Sequence, residues 1–340
     1  MSSHALPQRT SSSSRLILSC VTLAGLLFAL TLYALWAGSS ELSAAAVARW
    51  LLSPLTTADT DTSAIMQLRL PRVAVALLAG AMIAASGYLL QVAANNGLAD
   101  PGLLGISQGT SAAVLLASVM TGLADRWLVV AGLAGGLATA ALTVMLACRF
   151  RSRWGLILIG LGISVTLGAA VELVMTSGGI VQFSRYVNWS HGALSAVSMA
   201  DVWLLCSWAL ALLPLLLLAP RLLSPLRLED ALARTLGARP ERSRPLIIAL
   251  ASALVAPVIT VAGPMAFVGL ISCHLARRLV CDKPEALLPV TLFIGALLVL
   301  GADIAGRTLF LPLIVPAGLL VSLCGIPVFL LIARLTHGRR

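Results

Sequence analysis

Charge is scarce in this sequence. Of its 340 residues only 11% are Asp, Glu, Lys or Arg, against 59% hydrophobic ones, and the mean hydropathy is +1.00. No water-soluble fold buries so large an apolar excess, so the chain is read as an all-α integral membrane protein. Lysine is nearly missing: Lys283, between Asp282 and Pro284, is the only one. No stretch matches GxxxxGK[ST], so the polypeptide has no P-loop, and any ATP its work consumes is hydrolysed by a separate subunit. The six cysteines are scattered and form neither a disulfide framework nor a metal spacing. His191 and His274 are isolated, and no nucleophile, base and acid converge, so neither an enzyme nor a resident metal is expected. Ion-coupled carriers keep ionisable groups at membrane depth, yet only Glu172 and Asp303 qualify here. Asp303 is read as half of an i,i+4 pair with Arg307, while Glu172 either lines a path or snorkels to the outer surface.

What is present is a succession of apolar runs, many interrupted by Gly. After a polar stretch, residues 1–14, read as a disordered tail, they fall at about 16–37, 72–92, 103–121, 128–148, 155–175, 202–219, 246–263, 265–280, 287–304 and 313–333. The first, at about 22 residues, exceeds the apolar core of a signal peptide and is taken as a retained span. About ten transmembrane helices in one domain, 15–340, follow, with residues 39–66 as a mixed loop. With the amino terminus inside, 17 of the 23 Lys and Arg fall on the cytoplasmic side, leaving Arg49, Arg69, Arg72, Arg126, Arg185 and Arg307 outside. An even number of spans places both termini in the cytoplasm. The net charge of +10 is thereby explained without nucleic acid.

One polar island breaks the pattern. Residues 221–244 hold six arginines and three carboxylates. Ser224 and Pro225 resemble an N-cap and first helical position, and Gly237 with Pro240 resembles a stop. Between them Leu228, Leu232 and Leu236 share one face, and Asp230 stands four residues before Arg234. This spacing predicts a short amphipathic helix at the membrane surface, either an interfacial anchor or a surface offered to another protein.

Several segments resemble one family. RLPRVAVALLAGAMIAASGYLLQ (69–91), NGLADPGLLGISQG (96–109), WSHG (189–192), LRLEDALARTLG (226–237), AGPMAFVGLISCHLARRL (262–279), LPVTLFIGALLVLGADIAGR (288–307) and CGIPVFLL (324–331) are similar, in order, to the membrane-spanning subunit of type II ABC importers for ferric siderophores, haem and cobalamin. The resemblance implies a ten-helix permease in the bacterial inner membrane that pairs with a second permease protomer, identical or not. Two cytoplasmic ABC ATPase subunits, which hold the ATP and Mg, sit beneath, and a periplasmic binding protein delivers cargo from above. No cofactor is implied on this chain. The polar island takes the place of the family's coupling helix, with Glu229, Asp230, Ala233, Leu236 and Gly237 as its contacting core. Arg69, Arg72 and Arg307 match the family's docking arginines, with interfacial anchoring as the other reading of Arg69 and Arg72. Asn96, Gly97 and Leu98 match the cytoplasmic gate, although Gly97 stands where the family has Pro, Cys273 replaces another Pro, and 311–323 lacks the usual Pro-Val-Gly turn. The implied cargo is an iron chelate, a ferric siderophore first; haem or cobalamin, or an ion-coupled secondary transporter or channel, are the alternatives.

Overall fold

Long α-helices dominate the computed structural model, which describes residues 10–38, 43–52, 60–102, 104–121, 125–150, 155–176, 187, 189–228, 230–235, 237–325 and 327. They are α1 (Thr10–Trp36), α2 (Ala44–Leu52), α3 (Thr60–Ala93), α4 (Ile106–Thr121), α5 (Asp125–Phe150), α6 (Gly155–Thr176), α7 (Met199–Leu226), α8 (Asp230–Thr235), α9 (Pro240–Ala262), α10 (Val268–Leu279), α11 (Pro284–Thr308) and α12 (317–325). Among the described residues α1, α3, α5, α6, α7, α9 and α11 are each long and apolar enough to cross a membrane. Helices α4 and α10, of 16 and 12 residues, and α12 occupy the three remaining apolar runs. The ten predicted runs thus each contain one helix.

Two boundaries differ from expectation. Residues 39–66 are not simply a loop, because α2 lies there and α3 begins at Thr60. At 34 residues α3 is about 50 Å long, well beyond the roughly 30 Å hydrocarbon layer that hydropathy detects. Its first turn, residues 60–63, is polar, and Pro71 lies within the helix. Helix α1 likewise starts at Thr10, inside the stretch read as a tail. Residues 1–9, and the end of the tenth run from 328 onward, lie outside the described residues.

Helix α3 is the axis of the bundle, packing against α11, α9, α10 and α7. It runs antiparallel to α11: Arg72 meets Asp303 near one end, and Gly80 meets Gly295 one helix segment further along. At that crossing a Cβ on Gly295 would stand 2.3 Å from the Gly80 carbonyl oxygen and 2.4 Å from the Ala84 Cβ. Only hydrogen fits between the two backbones. Lipid offers little hydrophobic drive for helix association, so close backbone contact through small residues supplies the packing. The same device recurs at Gly87 against Gly269 and at Gly109 against Gly135, which joins α4 to α5. Between α3 and α9 the Ser86 hydroxyl donates to the Ala251 carbonyl at 2.8 Å.

Helices α1 and α6 flank the bundle and turn large apolar side chains outward, among them Leu18 and Phe28 on α1 and Leu158, Val165 and Leu173 on α6. At the end of the bundle near the start of α10, three loops interlock. Trp189 donates its indole N–H to Thr260 O at 3.3 Å, Gly318 N–H donates to Gly192 O at 3.1 Å, and Val315 N–H donates to Gly306 O at 3.0 Å. The chain therefore enters α12 at residue 317 in a defined way without the Pro-Val-Gly turn.

Candidate functional site

At one end of α3, three arginines and one aspartate are gathered from α3 and α11. The Arg72 Nε donates to Asp303 Oδ1 at 2.7 Å, and Arg307 Nε lies 3.4 Å from Asp303 Oδ2, which is the expected i,i+4 pair. The Asp303 carboxylate has no exposed surface, and the Arg307 and Arg72 side chains keep only 6% and 15% of theirs. Arg69 and Arg307 also reach α1. Arg69 Nη1 donates to Leu35 O at 2.9 Å and Trp36 O at 2.6 Å; Arg307 donates to Ala37 O at 2.7 Å and Ala34 O at 2.5 Å. Four carbonyls left unpaired at the end of a helix are thereby satisfied by two cations, which also suits the negative end of the helix dipole. Nothing in sequence spacing joins residues 34–37 to 69 and 307.

The polar island has a different start from the one predicted. Ser224 and Pro225 do not open a helix: they belong to α7, which continues to Leu226. The Ser224 hydroxyl turns back to Pro220 O at 2.9 Å, satisfying a carbonyl inside α7 instead of capping a new first turn. The short helix is α8, Asp230–Thr235, and its end is as predicted. Gly237 takes φ +83°, its N–H donates to Arg234 O at 2.9 Å, and Ala238 N–H donates to Ala233 O at 3.0 Å. This is a Schellman stop, which needs the left-handed residue that Gly provides. Ala233 is fully buried while Leu232 is half exposed, so α8 keeps its small face inward and an apolar side chain outward. Arg234 Nε donates to Glu241 on the first turn of α9 at 3.0 Å; the expected i,i+4 pair with Asp230 falls on a side chain outside the described residues. Glu229, Leu236 and the Asp230 side chain lie outside the described residues.

The stretch that the resemblance assigns to the gate follows the other end of α3. Asn95, at φ +47°, closes that helix: its N–H donates to Val92 O at 3.1 Å and the Asn96 N–H donates to Gln91 O at 3.0 Å. Asn96 Oδ1 then accepts from Leu98 N–H at 2.9 Å, an Asx turn. Gly97 is not among the glycines with positive φ, and the nearest atom to a Cβ there would be an Arg277 nitrogen at 3.9 Å. The turn is thus set by Asn95 and Asn96, and the conformational freedom of Gly97 is unused. Leu98 is exposed.

Two features of this end were missed in the sequence. Asp100, in the turn after α3, is buried; Gly102 N–H donates to its Oδ2 at 3.2 Å, but Oδ1 has no partner among the described residues. Burial pushes its carboxyl up to about 6, partly offset by the Gly102 hydrogen bond. A lone acid in a DPG turn reads as turn chemistry, and only burial reveals otherwise. The second feature is a chain of polar contacts: Arg227 pairs with Asp282, Arg277 Nε lies 3.8 Å from Asp282 Oδ1, and Arg277 Nη2 donates to Gln91 Oε1 at 2.8 Å. Glu172 lies on the exposed side of α6.

The comparisons point one way. The FecCD transport family matches residues 25–334. The chain is 40% identical over 271 residues to the achromobactin transport system permease protein CbrC of Dickeya dadantii, covering 78% of this chain and 77% of that one. It is 34% identical over 288 residues to the Fe(3+) dicitrate transport system permease protein FecC of Escherichia coli, covering 83% and 86%. A solved ABC transporter described as of metal-chelate type, in an inward-facing conformation, superposes with a TM-score of 0.77 at 28% identity over 94% of this chain and 99% of that one.

Proposed function

This chain belongs to the FecCD transport family, and from that premise we propose that it is the membrane-spanning permease of an ATP-binding cassette importer that carries an iron chelate, a ferric siderophore first, across the bacterial inner membrane. It is a transport subunit and not itself an enzyme. The observation that supports this reading best is α8, a six-residue helix closed by a Schellman stop and held between the long helices α7 and α9 with Leu232 turned outward. A short, capped helix between two spans moves as a rigid body, so a push from a partner is passed to α7 and α9.

In the assembly we propose, two copies of such a permease, identical or not, rest on two ABC ATPases that hold ATP and Mg. The ATPases meet Asp230, Ala233 and Gly237 with the neighbouring Glu229 and Leu236, and both termini are cytoplasmic. A periplasmic binding protein docks on the opposite rim. There Arg72 is the arginine with an open edge, since Arg69 and Arg307 are engaged with α1. The outward apolar face of α6, carrying Glu172, borders the path between the protomers. The turn at Asn96, Gly97 and Leu98 closes it on the cytoplasmic side.

The test is uptake by proteoliposomes containing this permease, its ATPase and its binding protein. ATP-dependent accumulation of a ferric siderophore is expected, with uptake but not insertion lost on reversing the charge at Asp230. Full-rate transport by the permease alone, without any ATPase, overturns the reading in favour of a secondary transporter or channel. Competition on the binding protein between ferric siderophore, haem and cobalamin decides the cargo.

A further inference from the structure

The polar chain between the island and the gate stretch joins four elements. Arg227 lies just past α7, within the island and ahead of α8, and its guanidinium grips both the carboxylate and the main-chain carbonyl of Asp282 in the α10–α11 connection. Asp282 stands in turn beside Arg277 of α10, which donates to Gln91 on the last turn of α3. Gln91 is 3% exposed, and its own carbonyl accepts the Asn96 N–H that starts the gate turn. The same Arg277 is the nearest neighbour of Gly97. The path from island to gate is therefore continuous: Arg227, Asp282, Arg277, Gln91, Asn96.

We propose that Arg277 and Asp282 are positioning residues that convey displacement of the coupling segment to the gate turn. The inference rests on the function proposed above and assigns that function two residues outside both the island and the gate.

Exposure tells what each link does. The Arg227 and Asp282 side chains are 28% and 54% exposed, and pairs so open to solvent add little to stability. Their use is geometric, since a guanidinium bound to both side chain and main chain fixes where the connection lies relative to α7. The Gln91 end is enclosed. Gln91 Nε2 has no partner among the described residues, so withdrawing Arg277 leaves the whole amide unpaired in a buried place and loosens the last turn of α3. A shift of α7 thus reaches the gate turn through hydrogen bonds at Arg227, Gln91 and Asn96 and one looser ion contact, Arg277 to Asp282 at 3.8 Å, without passing through the tight helix crossings of the core.

The experiment uses the reconstituted complex with its ATPase and binding protein. Asp282→Asn and Arg277→Met are expected to assemble and to retain ATP hydrolysis, while cargo moved per ATP falls by at least about fivefold. Hydrogen exchange at 94–105 changes on nucleotide binding in the unaltered complex and stays fixed in both variants. The exchanged pair Arg227→Asp with Asp282→Arg recovers more transport per ATP than either single change. Variants with the unaltered ratio and the unaltered exchange response overturn the proposal. Should Arg277→Met fail to assemble, the exposed Asp282→Asn decides the matter by the same two readouts. Failure of the unaltered complex to transport with ATP refutes instead the function on which the relay rests.

Discussion

At the scale of residues, the buried charges decide most. Asp303 stands between Arg72 and Arg307 with no exposed surface of its own. Removing one partner of a buried ion pair leaves the others uncompensated, so Asp303→Ala is expected to cost about 3–5 kcal/mol, seen as a large fall in melting temperature in detergent. Replacing Arg72 by Met in the same protein should recover part of that loss. Asp100 behaves differently, because burial raises its pKa to about 6. A raised carboxyl pKa means that the folded turn binds the proton more tightly than the unfolded chain. Its stabilising contribution is full below the ordinary carboxylate pKa and is lost as pH rises through about 6. Amide exchange at 94–105, corrected for intrinsic rates, should therefore be about tenfold faster at pH 7.5 than at pH 5, and Asp100→Asn should abolish the difference.

Among elements, glycine crossings and helix stops set the architecture. A Cβ at Gly295 meets the Gly80 backbone and the Ala84 Cβ, so Gly295→Ala must separate α3 from α11. A loss of about 1–3 kcal/mol is expected, measurable by thermal shift. Gly301→Ala is the control on the same helix: nothing lies within 4 Å of its Cβ, and the change should be neutral or stabilising by up to about 1 kcal/mol. The stop of α8 at Gly237 was legible in sequence because a Schellman motif is built from neighbours. Its start was not, since Ser224 and Pro225 carry the local marks of a helix N-terminus yet lie inside a membrane-length helix that tolerates them. Glu241 as a partner of Arg234 was not legible either, since only the return of α9 brings it within reach.

The whole molecule joins two ends through α3. At one end Arg69 and Arg307 hold the last carbonyls of α1; at the other, Gln91 and Arg277 tie the turn at Asn95 and Asn96 to the connection after α10. One helix thus carries the arginine cluster, a tight crossing and the turn at Asn95 and Asn96, which in the function proposed are docking rim, pivot and gate, and a tilt of α3 moves all three. The sequence by itself determined that the chain lies in a membrane, where its ten runs fall, that the island interrupts them, and which family it resembles. These are sums over neighbouring residues, and hydropathy, charge bias and helix stops are local quantities. Only the tertiary structure decided that Arg69 and Arg307 cap α1, that Asp303 serves two arginines, that Asp100 is enclosed, and that Arg227 reaches Gln91 through Asp282 and Arg277. The partners that join separate helices, such as Leu35 with Arg69, Arg72 with Asp303, Arg227 with Asp282 and Gln91 with Arg277, lie tens to hundreds of residues apart, and they meet because glycine-paired helices pack at one register, which no local pattern encodes.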